Sequence, residues 1–317
     1  MKKTDIVVPC FNEADVLEMF YEKTKEITDA IEGYDFTFIF VNDGSRDGTE
    51  RIIKRLAAAD PKVKFVSFSR NFGKEAAIYA GLKFSGGEYV IVMDADLQHP
   101  PDVIREMTSG IDEGYESCAA MRIGASSDSA VRTRLSEWFY KISNRLTDVE
   151  LESGMVDFRM MSRKMVDSVL ALSEVQRFSK GIFEWVGFKT KRIPYEHAPR
   201  PVGKSKWSFK TLFKYAVDGI TSFSIAPLRM VSIMGFVICV LALIYILITL
   251  IQTLIVGISV PGYVTTLCAV LFMGGILELS IGVLGEYIGH IYMESKKRPL
   301  FILKETNIIP EGKKEDE

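Results

Sequence analysis

Cysteine and histidine are scarce. Four cysteines (Cys10, Cys118, Cys239 and Cys268) and three histidines stand among 317 residues, and no CxxC pair occurs. This excludes a zinc site of the usual spacing and a disulfide framework, and a reducing compartment suits the soluble part. A surplus of one charge is lacking too. Lys and Arg number 39 against 41 Asp and Glu, for a net charge of −2, so the basic excess of a nucleic-acid-binding domain is missing and no such partner is expected. The opening Met1-Lys2-Lys3-Thr4-Asp5 runs into only a short apolar stretch, Ile6-Val7-Val8. That is too short for the apolar segment of a secretion signal, and the N-terminal part is expected to stay in the cytosol.

Charge disappears altogether between Met230 and Leu277. Met230–Val256 exceeds the roughly 20 apolar residues that cross a bilayer core. Pro261-Gly262 breaks the run, and a second span follows over 263–287, interrupted first by Glu278. Lys204, Lys206, Lys210, Lys214 and Arg229 precede the first span, Lys296, Lys297 and Arg298 follow the second, and the linker Gly257–Gly262 is uncharged. By the positive-inside rule the two spans (within 230–290) sit in the plasma membrane with the N-terminal domain and both termini cytoplasmic. Residues 201–229 combine a basic loop with an amphipathic pattern, Trp207–Phe223. Its apolar Phe209, Leu212, Phe213, Ala216, Val217 and Ile220 are separate from a lysine stripe. The pattern fits a helix lying in the membrane interface or one packed on the soluble domain. Residues 291–317 read as a cytoplasmic tail, with Glu311–Glu317 of disordered composition.

Residues 1–200 alternate strand and helix patterns. Asp5–Pro9, Phe36–Asn42, Val63–Ser67, Tyr89–Met93 and Ser117–Met121 read as strands, and Asp15–Ile31 as the first helix. The alternation predicts an α/β domain with a mostly parallel, Rossmann-like sheet, whose ligands bind at the carboxyl ends of the strands. Acids gather at those ends. Asp94 and Asp96 follow the strand Tyr89–Met93, and in extended chain residues i and i+2 point the same way. Such a pair suits a hard divalent cation that keeps positions open for phosphates, or else a solvated turn before Pro100-Pro101. Asp43 ends the second strand, where it can accept from a base or ribose, while Asp47 and Thr49 look like helix-start residues. Glu13 stands where the first strand yields to a helix, a place that also favours an acid through the helix dipole. Ser69-Arg70-Asn71-Phe72-Gly73-Lys74 puts a cation and a glycine before a helix, as suits a diphosphate or an exposed basic loop. Arg122, Arg132, Arg134 and Ser136 precede or open the helical pattern 135–146. Arg132 and Ser136 share a helix face if the helix begins early, and arginine suits bidentate phosphate recognition.

The segments PCFNE, VNDGSRDGT, SRNFGKEAAIYAG and MDADLQHPP, in this order and spacing, resemble a family 2 glycosyltransferase of the GT-A fold. The resemblance is to its dolichyl-phosphate mannose synthase branch and, with two C-terminal spans, to bacterial polyprenyl-phosphate glucosyltransferases. It covers nearly the whole chain, and four ordered motifs with a hairpin are far more specific than the DxD motif alone. The resemblance implies an inverting transfer of a sugar, glucose first, from a UDP-sugar to undecaprenyl phosphate or another polyprenyl phosphate. Pro9, Phe11, Glu13, Asp43, Lys74, Asp94, Ala95, Arg200 and Lys204 would then line the nucleotide sugar. Asp94, Asp96 and Gln98 would hold Mg2+ or Mn2+. Arg122, Arg132 or Arg134 and Ser136 would take the acceptor phosphate, and Asp157, Asp96 and Lys204 would act at the reacting centre. N-acetylglucosamine, galactose, mannose and 4-amino-arabinose are alternative sugars, and an inactive sugar-nucleotide-binding protein is the rival reading. Glu278 and the glycines Gly274, Gly275, Gly282, Gly285 and Gly289 point to a homo-oligomer.

Overall fold

A computed structural model describes residues 1–123, 154–172, 174–196, 221, 224–256 and 262–308. Strands β1 (Lys2–Cys10), β2 (Tyr34–Asn42), β3 (Val63–Phe68) and β4 (Tyr89–Val92) run parallel, with α1 (Leu17–Asp29), α2 (Thr49–Ala59) and α3 (Lys74–Phe84) among their crossovers. Their sequences are continuous apolar runs because helices cover both sheet faces. Ile6, Val7, Val8, Phe40, Val41 and Val90, Ile91 and Val92 are all fully buried. One core holds Phe20, Phe40, Ile53, Ile91, Met107 and Phe158, and the other Val41, Ile78, Leu82, Met161, Val166 and Phe183. Gly81 sets the approach of α3 to the sheet, since a Cβ there would stand 2.1 Å from Val7 Cγ1.

After α4 (Val103–Asp112) come β5 (Ser117–Ile123), β6 (Met155–Ser162), α5 (Arg163–Ala171), α6 (Ser179–Trp185) and β7 (Thr190–Glu196). Strand β6 is antiparallel to both β4 and β5, and β7 is parallel to β5. Two long helices follow, α7 (Ala226–Val256) and α8 (Tyr263–Ser295), and then β8 (Leu303–Thr306). The sheet order is β7-β5-β6-β4-β1-β2-β3-β8, the mostly parallel α/β architecture expected.

The sequence patterns found β1 to β5 within a few residues but not β6, β7 or β8. Within the segment expected as a tail, 291–317, Leu303–Thr306 joins the sheet as β8. It pairs antiparallel with β3. Phe301 stacks on Phe68 at 4.8 Å, and Asn307 accepts from Phe65 N–H and donates to Val63 O. Lys54–Glu305 and Lys304–Glu50 ion pairs flank the seam.

Helices α7 and α8 have 31 and 33 residues. At ~1.5 Å per residue each is longer than the ~30 Å core of a bilayer. Ala226–Tyr245 and Phe272–Ser295 are long and apolar enough to cross a membrane, and Phe236, Leu243, Phe272 and Ile281 are exposed on them. Because β8 rejoins the sheet, the two ends of the hairpin lie on one side. The expected interfacial helix falls, except for Thr221, outside the described residues, as does Glu311–Glu317.

Candidate functional site

The carboxyl ends of β1, β2 and β4 form one rim. Cys10 is in register with Asn42 and Val7 with Val92. Asp43 N–H donates to Cys10 O (2.9 Å) and Met93 N–H to Val7 O (3.0 Å). Glu13, Asp43 and Asp94 therefore leave neighbouring strands at the same end. The buried Cys10 thiol feels this: burial pushes its pKa up, and the charges of Glu13, Asp94 and Asp47 push it further.

Strand β6 brings the next acid because it runs the other way. With Val92 paired to Arg159, the start of β6 lies at the rim, and Asp157 comes to the exit of β4. Lys74, the first residue of α3, bridges the two strands. Its Nζ lies 2.7 Å from Asp94 Oδ1 and 2.7 Å from Asp157 Oδ2. Burial opposes the charge on Asp157, but the Lys74 ammonium, aided by Lys180, outweighs it and holds the carboxyl well below the usual range. Burial likewise opposes the charge on Lys74, and Asp157 and Asp94 together raise its pKa.

Asp43 places Lys74. Its carboxylate accepts from Phe72 N–H (2.6 Å), Gly73 N–H (2.9 Å) and Asn71 Nδ2 (2.9 Å), fixing the loop that ends at Lys74. Burial nevertheless pushes the Asp43 carboxyl up. Gly44 lets the two loops touch: it has φ 63°, and a Cβ there would fall 2.3 Å from Arg70 C. The carboxylate expected at the base or ribose thus has a loop-building task in the protein. Asp47 accepts from Thr49 N–H (3.0 Å) and Oγ1 (2.6 Å) at the start of α2, as a helix-start residue should.

Asp94, Ala95 and Asp96 form the loop beyond β4. Gln98 N–H donates to Asp96 Oδ1 (3.1 Å), and the buried Leu97 is held at φ 57°, a left-handed conformation costly for a bulky residue. His99 follows, 6% exposed, stacked on Phe158 with ring centroids 5.5 Å apart and edge-on to Tyr195 at 5.7 Å. Tyr195 is in register with Arg122 across β5 and β7. Neither His99 nor Tyr195 was singled out from the sequence. His99 directly follows Gln98, a signal in plain view, whereas Tyr195 arrives through a strand the sequence patterns did not show. Among the described residues, three buried polar atoms here have no hydrogen-bond partner: Asp157 Oδ1, His99 Nδ1 and Tyr195 Oη.

Behind the rim, Glu75 accepts from Ser179 N–H (3.0 Å) and from its hydroxyl, pinning α6 to α3, and the fully buried Arg159 pairs with Glu184 at 3.0 Å. The site therefore gathers Glu13, Asp43, Lys74, Asp94, Asp96, Asp157 and Arg122 around one strand rim, with Pro9 and Phe11 at the exit of β1 and Ala95 and Gln98 in the acidic loop. Arg132, Arg134, Ser136, Arg200 and Lys204 lie outside the described residues. Among the described residues no three acids, histidines or cysteines form a closed metal cage. A depression of about 520 Å³ lined by Gly86, Gly87, Ser162 and Arg163 lies at the opposite end of β4 and holds none of these groups.

Residues 5–170 match the model of glycosyl transferase family 2, and residues 226–291 match the GtrB C-terminal hairpin. Over 303 residues the chain is 49% identical to the putative glycosyltransferase CsbB of Bacillus subtilis, covering 96% of this chain and 92% of that one. Over 302 residues it is 42% identical to the prophage bactoprenol glucosyl transferase homolog of Escherichia coli, covering 95% and 98%. A solved structure of glucosyl-3-phosphoglycerate synthase from Mycobacterium tuberculosis, in complex with Mn2+, UDP-glucose and phosphoglyceric acid, superposes with a TM-score of 0.47 at 17% identity, over 69% of this chain and 78% of that one.

Proposed function

Because the chain belongs to glycosyl transferase family 2, we propose that it transfers glucose from UDP-glucose to the phosphate of a polyprenyl lipid, undecaprenyl phosphate above all. The observation that carries this reading is the likeness of almost the full chain, hairpin included, to bactoprenol glucosyl transferases. The Asp94–Lys74–Asp157 cluster, on a sheet whose chain leaves for the hairpin and returns from it, supports it.

The lipid phosphate is its own nucleophile. A phosphate monoester has a second pKa near ~6 and is largely dianionic at neutral pH, so no strong base is required. One phosphate oxygen attacks the anomeric carbon as the bond to UDP breaks, in a single inverting displacement. Asp157 then orients the acceptor or a cation rather than taking a proton, and Lys74 keeps it ionised. Arg122, with Arg132 or Arg134 and Ser136, would serve the acceptor phosphate. Lys204 and Arg200 serve the departing diphosphate.

The donor set fits Mg2+ or Mn2+. Asp94 and Asp96, with Gln98, would hold such an ion and leave positions for diphosphate oxygens, and Asp157 Oδ1, without a partner among the described residues, is a further buried acceptor at the same rim. The ion would neutralise charge on the leaving diphosphate. The catalytic domain and both termini face the cytoplasm, where UDP-sugars are made, and the hairpin keeps the domain beside its lipid substrate. Glu278, exposed on α8, and the open surface at Gly274, Gly275 and Gly282 fit a homo-oligomer in the bilayer.

The test is transfer of labelled glucose from UDP-glucose into organic-extractable lipid by the purified full chain with undecaprenyl phosphate. Label in the lipid fraction is expected, lost with a chelator and restored by Mg2+ or Mn2+. Failure with glucose but success with another UDP-sugar corrects the sugar. No lipid-linked label from any UDP-sugar overturns the reading.

A further inference from the structure

We propose that the Tyr195 hydroxyl is a phosphate-binding donor that acts with Arg122 on a phosphoryl group in the transfer site; this rests on the glucosyltransferase reading above. Tyr195 is 5% exposed, yet its hydroxyl has no partner among the described residues. Buried tyrosine hydroxyls normally find one, and others in this molecule do. Tyr21 donates to Asp60 at 2.6 Å, and Tyr34 to Asp112 at 2.9 Å. Tyr195 is the exception among these, and it is the one at the site.

Its ring is firmly placed. His99 packs edge-on against it and is itself stacked on Phe158, so the hydroxyl cannot swing away in search of water. The β5–β7 register sets Arg122 beside it. Burial pushes the hydroxyl up to about 12, with Arg122 lowering it and Asp94 and Asp96 raising it. The group therefore stays protonated at neutral pH and can only be useful there as a neutral donor or acceptor.

The neighbours decide what it donates to. A guanidinium and a phenol at adjacent strand positions offer several donors to one anion, the pattern that suits phosphate oxygens. Asp94 and Asp96 would repel a bare anion, but they suit a phosphoryl group that arrives with a divalent cation. A sugar hydroxyl would satisfy Tyr195 and leave Arg122 without an anion. Two phosphates enter this site, the acceptor monoester and the donor diphosphate, and both have the required chemistry.

Tyr195→Phe in the full-length protein separates the cases, because it keeps the ring and its packing and removes only the oxygen. The melting temperature of the substrate-free variant should be unchanged or higher, since a buried hydroxyl without a partner is lost. One KM should rise about tenfold or more, the usual scale for a hydrogen bond to a charged group. A rise for undecaprenyl phosphate alone assigns the hydroxyl to the acceptor, and a rise for UDP-glucose alone assigns it to the donor. Calorimetric titration of UDP with Mg2+, and of undecaprenyl phosphate, should show the same loss without turnover. Unchanged affinities for both, or a lowered melting temperature in the substrate-free variant, overturn the proposal. Should the wild type transfer no sugar to lipid, the transferase reading fails, while the two titrations still decide what Tyr195 binds.

Discussion

Asp5 and Lys74 show how single side chains position the site from opposite ends of the sheet. Asp5 Oδ2 accepts from both Gly86 N–H (2.7 Å) and Gly87 N–H (2.8 Å), closing the turn that starts β4. Asp5→Ala leaves those donors unpaired and should cost about 1–3 kcal/mol in urea unfolding. Asp5→Asn keeps one accepting oxygen and should cost less. Burial holds the Asp5 carboxyl above its ordinary value of 3.8, against the Gly87 and Gly86 hydrogen bonds. On acidification the folded state takes up this proton before the unfolded state does. Wild-type stability should therefore rise relative to Asp5→Asn as pH falls from the raised value toward 3.8, and the same melts at stepped pH check the sign. Lys74→Met removes the cation between Asp94 and Asp157. Its side chain is 36% exposed, so the stability loss should stay near ~1–2 kcal/mol, below the figure for a dry pair. Glucosyl transfer should fall by about 100-fold or more as the acids lose their fixed geometry, measured as kcat in the lipid-label assay.

At the level of the elements, the legible parts were those whose local pattern agrees with their tertiary setting. Strands β1 to β4 are covered on both faces, so they read as apolar runs, and the polar residues that end them stood out as site candidates. Strand β6 was hidden because it carries Asp157 and Arg159 into the interior, where their pairing with Lys74 and Glu184 replaces hydrophobicity. The acid was found by resemblance, but its strand was not. Edge strands β7 and β8 are half polar, as edges tend to be, and their partners are distant in sequence. Asp43 was found for its place at a strand end, but its bonds to the 71–73 loop need β2 and β3 side by side. The β8 seam can be tested at one side chain. Phe301, half-buried between Phe68 and Phe84, should cost roughly 1–3 kcal/mol when changed to Ala, less than a fully buried Phe. Hydrogen exchange in Val63–Phe68 should quicken with it.

For the molecule as a whole, α8 is held both by the α/β domain and by the entry to α7. Val175 N–H donates to Glu294 Oε1 at 2.6 Å, and Tyr287 Oη donates to Ser224 O at 2.6 Å, so one contact joins α8 to the loop before α6 and the other to the residues before α7. Glu278 sits apart from these contacts, exposed on a helix long and apolar enough to cross a membrane. A carboxylate there is expensive unless another chain covers it. Glu278→Gln should shift the oligomer distribution, read by cross-linking in native membranes, with the catalytic fold intact. An unchanged distribution would make the residue incidental.

The return of the chain to β3 also dictates an order of assembly. A ribosome making this protein finishes seven strands before the spans, and the eighth only after them. Until the residues after the two long helices are made, the β3 border stays bare, a template for pairing with a neighbouring nascent chain. Completion of the sheet thus comes last: a chain cut short within the helices keeps a sticky edge, and a chain that reaches Thr306 seals its own.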